Sequence, residues 1–129
     1  MKNRRFTLLI LHIAKAGEWK EALVKGEYET GSLKSDEFIH CSLPEQIIDI
    51  ANSNFRNEKG LVLLCIDSSK VKAEIKFECG GLQDYPHIYG KLNLDAVIKT
   101  FPFEPDSNGN FTLPQEIKEI ASILNKEVR

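Results

Sequence analysis

Three histidines stand in nearly the same setting in this chain: Leu11-His12-Ile13, Ile39-His40-Cys41 and Pro86-His87-Ile88. Each interrupts apolar residues near the end of a stretch that reads as a strand. Ligand sites gather where strand ends meet, so the expectation is one pocket shared by His12, His40 and His87. Imidazole is the side chain best suited to proton transfer near neutral pH. Three imidazoles could also hold zinc, with nitrogens about 2.1 Å from the metal and a water completing the tetrahedron. No H-x-H or H-E-x-x-H pattern supports that arrangement. Cys41 paired with His12 or His87 would be a nucleophile and its base. His40 itself is badly placed for this, because neighbours on a strand point to opposite faces.

Four further residues could join such a site. Glu78 closes an alternating stretch just before Cys79-Gly80-Gly81, where a carboxylate could stabilise a cationic transition state by its charge. Ser32 and Ser42 offer hydroxyls, and Tyr89 offers a ring on which a base could stack. Ser42 also stands three residues before Glu45, with Pro44 between them, which reads as a capping box at a helix start. The free amides of that helix start would favour an anion such as phosphate close to His40.

The elements that must position these groups follow from periodicity. Phe6 to Ile13 and Leu61 to Ile66 are apolar runs suited to strands buried on both faces. Between them, Trp19, Ala22 and Leu23 share a helical face that Gly26 ends as a cap. Tyr28 to Leu33 crosses into the central strand, and Ile47, Ile48, Ala51 and Phe55 form a helical core stripe from Pro44 onward. Ala73, Ile75 and Phe77 alternate with Lys72, Glu74, Lys76 and Glu78, giving a strand with one wet face. Tyr85 to Gly90 and Leu94 to Phe103 supply the last strands. Thr112 with Gln115 reads as a second capping box, before a helix over about 113–127.

Composition sets outer limits. A length of 129 residues suits one domain spanning 1–129, with a core over about 6–103. The net charge of −2 argues against a general nucleic-acid binder. Lys2, Arg4 and Arg5 ahead of an apolar run imitate a secretory leader, but His12 interrupts that run and it serves as a first strand. No stretch is long enough to span a membrane, so the expectation is a cytoplasmic protein. Three cysteines at long spacings describe neither a disulfide framework nor a zinc ribbon. Cys65, inside the apolar run, reads as a buried and inert thiol.

The order His12, Trp19, Gly26-x-Tyr28, Ser32-Leu33, Phe38-Ile39-His40-Cys41-Ser42, Gln46, Leu61-Val62-Leu63-Leu64-x-Ile66-Asp67, Glu78 and Pro86-His87-Ile88-Tyr89-Gly90-x-Leu92 closely resembles the bacterial domain of unknown function family 952. The likeness runs from about Leu9 to Phe101. It departs from the family at Glu37, where glycine is usual, and at Lys91, where proline is common. The family is grouped with the ADP-ribosyltransferase-like fold. The resemblance therefore implies an α+β domain with a split, bent mixed sheet, flanking helices and a cleft for NAD or a related nucleotide. NAD would be a substrate rather than a resident cofactor. In that fold a first-strand histidine holds the ribose, a serine or tyrosine follows, and a late glutamate completes the site. The resemblance puts His12 in the first position, Ser42 or Ser32 in the second, and Glu78, or else His87 or Tyr89, in the third. It implies ADP-ribosyltransferase-like transfer or NAD hydrolysis, with chemistry at the nicotinamide–ribose bond or at ribose. The combined reading makes His12, His40 and Glu78 catalytic, with Ser32, Ser42, His87 and Tyr89 binding the ligand. Its alternatives are a nucleotide-sensing module without turnover and a three-histidine metal-dependent hydrolase.

Overall fold

Two long apolar strands decide the architecture, and both are buried on both faces. The computed structural model describes residues 5–78, 81–125 and 127–128. Lys2, Arg4, Cys79 and Gly80 lie outside them. In chain order the elements are β1 (Arg5–Phe6), β2 (Leu9–Lys15), α1 (Ala16–Lys25), β3 (Glu27–Tyr28), α2 (Gly31–Ser35), β4 (Ile39–His40) and α3 (Ile47–Asn54). There follow β5 (Leu61–Asp67), β6 (Glu74–Glu78), β7 (Tyr85–Tyr89), β8 (Leu92–Asn93), β9 (Val97–Phe103), α4 (Glu116–Leu124) and β10 (Glu127–Val128). Strands β2, β5 and β9 form one three-stranded sheet, and β4, β7 and β6 form another. Every pairing among the described residues is antiparallel, where the resemblance implied a mixed sheet.

Burial on both faces explains the unbroken apolar runs. Leu9, Leu11 and Ile13 of β2, with Leu61, Leu63 and Cys65 of β5, pack against Ile47 and Ala51 of α3 and Ile117 of α4. The opposite faces carry Ile10, Ala14, Leu64 and Ile66, which meet Ala22 of α1, Tyr28, and Ile39 and Ile88 of the second sheet. The first sheet is thus the middle layer, with α3 and α4 on one side and the second sheet with α1 on the other. The two sheets also meet edge to edge at one bridge, where Leu11 and Ser42 exchange both amide–carbonyl hydrogen bonds at 2.7 and 2.8 Å.

Gly26 caps α1 as expected. Its φ is 92° and its amide donates to the Ala22 carbonyl at 2.8 Å. Gly90 ends β7 with φ at 152°, and a Cβ there would lie 2.9 Å from that of Ala73. Both positions take a φ that favours glycine, and at Gly90 the Ala73 side chain also leaves no room for a Cβ. Other expectations need correction. Ser42 does not cap α3, because its amide is committed to Leu11 in the bridge. The helix has no side-chain cap, and the Gln46 side chain instead reaches back, its Oε1 accepting from the Leu43 amide at 2.9 Å. Thr112 does not cap α4 either, which begins at Glu116 with no side-chain cap. Tyr28 to Leu33 does not run into a strand. It turns into α2, where Thr30 accepts from the Ser32 amide. Leu23 is 57% exposed and Phe77 is 44% exposed, so neither faces the core. No helix among the described residues is long and apolar enough to cross a membrane.

Candidate functional site

A cavity of about 600 Å³ opens where the two sheets meet, a volume suited to a small-molecule ligand. Its walls come from both layers: Leu11, Ile13, Ile47 and Phe55 from one core, Tyr28 and Cys41 from the other. His12, His40 and His87 all line it, as do Ser32 and Ser42. Glu78 and Tyr89 do not. Glu78 accepts a hydrogen bond from His87, Tyr89 donates to Glu78, and Phe38 contacts the rings of both His87 and Tyr89.

His40 and His87 are direct cross-strand partners on β4 and β7, which places their side chains on one face. Their ring centroids are 5.4 Å apart, edge to face. Phe38 stacks on His87 at 4.0 Å with 15° between the planes, and also touches the rings of His40 and Tyr89. This is the wet face of the second sheet. The alternate residues Ile39, Ile75 and Ile88 face its other side.

The partners of each imidazole fix its proton. His12 Nδ1 faces the His40 carbonyl at 2.5 Å, which can only accept, so this nitrogen carries the hydrogen. Its Nε2, 2.8 Å from Tyr28, then accepts from the tyrosine hydroxyl. Burial pulls the His12 pKa down to about 4 and pushes that of Tyr28 up, so both stay neutral. His12 is therefore saturated. His87 Nδ1 donates to Glu78 Oε2 at 2.9 Å. Hydrogen bonds from Tyr89 and His87 hold the Glu78 carboxyl below the usual range, so it remains an anion and an acceptor. The remaining His87 nitrogen, Nε2, has no hydrogen-bond partner among the described residues, although the side chain is only 6% exposed. His40 is 54% exposed and donates from Nε2 to Asp36 at 2.9 Å, which leaves Nδ1 as an acceptor. The result is two carboxylate-held imidazoles, each with an unused basic nitrogen, beside a third that is locked.

The serines divide in the same way. Ser32 Oγ donates to the Phe38 carbonyl at 3.0 Å and contacts Thr30 Oγ1. It positions the segment that carries Phe38. Ser42 is 4% exposed, and its hydroxyl has no partner among the described residues. At the helix start, where a phosphate is expected, several amides already have protein acceptors. The amides of Ser42, Leu43, Gln46 and Ile47 all donate to protein acceptors, and Pro44 has none. Burial pushes the Cys41 thiol well up and that of Cys65 up to about 12, so neither is a ready thiolate. Nor do three histidines converge on a metal. Both His12 nitrogens are engaged, and no group of three metal-binding side chains occurs among the described residues.

Sequence reasoning missed Lys15, Glu18, Thr30, Phe38 and Tyr85 as lining residues. Phe38 reads as strand core, yet Glu37 takes a positive φ of 72° just before it. Alternation from Ile39 and Cys41, both buried, already assigns Phe38 and His40 to the other face.

The fold and site define a small α+β domain with a ligand-sized cavity at a sheet junction. The chain belongs to the family described as protein of unknown function DUF952, whose model matches residues 13–100. It is similar to the crystal structure of protein CC0527 from Caulobacter crescentus, with 29% identity, a TM-score of 0.78, and coverage of 85% of this chain and 98% of that one. The solution structure of CC0527 matches with 30% identity and a TM-score of 0.70, covering 88% of this chain and 97% of that one. No curated protein matches the sequence.

Proposed function

We propose that the cavity binds NAD or a related nucleotide, and that His40 and His87 act on its ribose. The observation that carries this reading is the paired imidazoles, each held by a carboxylate and each with one basic nitrogen left over. Carboxylate-held imidazole keeps one tautomer and one orientation, which is what proton transfer requires. The lining supports a nucleotide in particular. Phe38, Tyr28 and Tyr85 supply aromatic surface, and Thr30 and Ser42 supply hydroxyls. The split between the two sheets is the feature that supports placing this fold in the ADP-ribosyltransferase-like class.

In this reading His40 Nδ1 accepts from a ribose hydroxyl, and His87 Nε2 takes a proton from the attacking water. The C1′–nitrogen bond breaks with its electron pair leaving on nicotinamide. The water oxygen bonds C1′, and the products are ADP-ribose, nicotinamide and a proton. Glu18 is the one carboxylate among the described lining residues, and it supplies negative charge to the cationic centre. Glu78 acts through His87 as a positioning residue. His12 holds the wall and takes no part in proton transfer.

The test is melting temperature against NAD and ADP-ribose, with nicotinamide release measured in parallel. Ligand that binds only the folded state raises the melting temperature. A rise with either nucleotide, and release abolished in His87→Ala but retained in Cys41→Ala, is the expected result. No rise and no release at millimolar nucleotide would overturn the reading.

A further inference from the structure

Strand β6 closes the second sheet, with β7 on one side of it and no strand on the other among the described residues. Pro86 shows which of its backbone groups are unspent. The Pro86 carbonyl accepts from the Cys41 amide at 3.0 Å, so that residue turns its backbone towards β4 and away from β6. Its cross-strand partner Phe77 must then turn away from β7, towards the free edge, and Ile75 does the same by alternation. An edge with unpaired amides and carbonyls is a template for another strand. Apolar surface is left there as well, since Ile75 is only half-buried and Phe77 is 44% exposed.

We propose that β6 pairs antiparallel with β6 of a second copy of this chain, across a two-fold axis at Ile75. The charges select this partner. Lys72, Glu74, Lys76 and Glu78 alternate in sign along one face. With the axis at Ile75, Glu74 stands opposite Lys76 of the second copy, and Lys72 opposite its Glu78. On the other face Ile75 meets its own counterpart, and Phe77 is covered by Ala73. Ile75 and its counterpart exchange both hydrogen bonds, so the charged positions fall in the other class of pair, where side chains come closest. Other registers are worse. An axis at Lys76 sets lysine against lysine and Glu74 against Glu78. An axis at Phe77 pairs Lys76 with Glu78, whose carboxylate already accepts from His87 and Tyr89. Glu74 and Lys76 make no ion pair among the described residues, and the Lys76 ammonium only rests 4.7 Å from the centre of the Tyr89 ring. Their charges are therefore available across the axis. The pairing is isologous, and it is independent of what the cavity binds.

The experiment is sedimentation velocity on wild type, Lys76→Glu and Glu74→Lys, and on the two variants mixed in equal amounts, with melting curves to confirm folding. Wild type should sediment as a dimer that dissociates on dilution. Each substitution sets like charges opposite one another twice across the axis, so each variant alone should self-associate at least about tenfold more weakly. The mixture sets the glutamates of one chain against the lysines of the other and should regain the dimer. Raising the salt concentration should weaken the wild-type dimer, because it screens the same pairs. Wild type that stays monomeric up to about 1 mM overturns the proposal without recourse to any variant. A wild-type dimer indifferent to salt overturns it too. So do single variants that dimerise as tightly as wild type, and a mixture of two folded variants that stays monomeric.

Discussion

His12 with Tyr28 and His40 with His87 are two imidazole pairings in one cavity wall, and they behave as opposites. The first is closed. His12 has a carbonyl on one nitrogen and a phenol on the other, and burial keeps it neutral. The second is open. Each imidazole there is oriented through one nitrogen by an acid, Asp36 or Glu78, and keeps the other nitrogen unspent. Closed pairs contribute to stability and open pairs to chemistry, because a group already satisfied in the fold has nothing left for a ligand.

Substitution separates them most sharply. His12→Ala leaves a hole and strips the buried Tyr28 hydroxyl and His40 carbonyl of their partner. Urea unfolding should show a loss of about 3–4 kcal/mol. His40→Ala, at an exposed position, should cost no more than about 0.5 kcal/mol by the same measurement. Equal losses at the two positions would erase the distinction.

Acid should find the closed pair next. The His12 pKa is about 4 in the folded protein against 6.5 for a free histidine, so the unfolded chain binds the proton more readily. The stability this provides is complete above pH 6.5 and drains away as pH falls towards 4. The full loss is about 3 kcal/mol, and a His12→Gln variant should show a flatter slope over this window. Unfolding free energies at half-unit pH steps would check it, with a wild-type slope no steeper than the variant's counting against it.

Phe38 is the hinge of the comparison, since it stacks on His87 and touches His40. Phe38→Ala should cost about 1–2 kcal/mol of stability, less than a fully buried phenylalanine, and weaken nucleotide binding at least tenfold. Calorimetry beside denaturant unfolding reads both effects. The smallest expected change is at Glu37, whose φ of 72° is a conformation that glycine adopts without strain. Glu37→Gly should raise stability by about 0.5 kcal/mol, visible as a small upward shift of the urea midpoint.

How much of this the residues announce depends on range. The double-sided burial of Leu61 to Ile66, the Gly26 cap and the alternation through Lys76 are local patterns, and they read directly from the chain. The helix start after Ser42 does not. Ser-x-x-Glu is a sound local motif, but a long-range bridge to Leu11 claims the Ser42 backbone, and the Gln46 side chain ties the Leu43 amide to the Asp84 carbonyl. The histidines show the same limit. Three near-identical local settings become one saturated and two open imidazoles because Tyr28 and Glu78 come from other strands, whereas Asp36 lies only four residues before His40. Glu78 reads as a direct site residue for this reason. Its strand end is legible, but its bonds to His87 and Tyr89 are not.

The most direct test of the central claim is long-range proton–nitrogen NMR of the three imidazoles, recorded at pH 7 with and without ADP-ribose. The account predicts an Nδ1–H tautomer for His12 whose two nitrogens do not shift on adding ligand, while His87 Nε2 and His40 Nδ1 both move. Shifts confined to His12, or a protonated Nε2 on unliganded neutral His87, would contradict it.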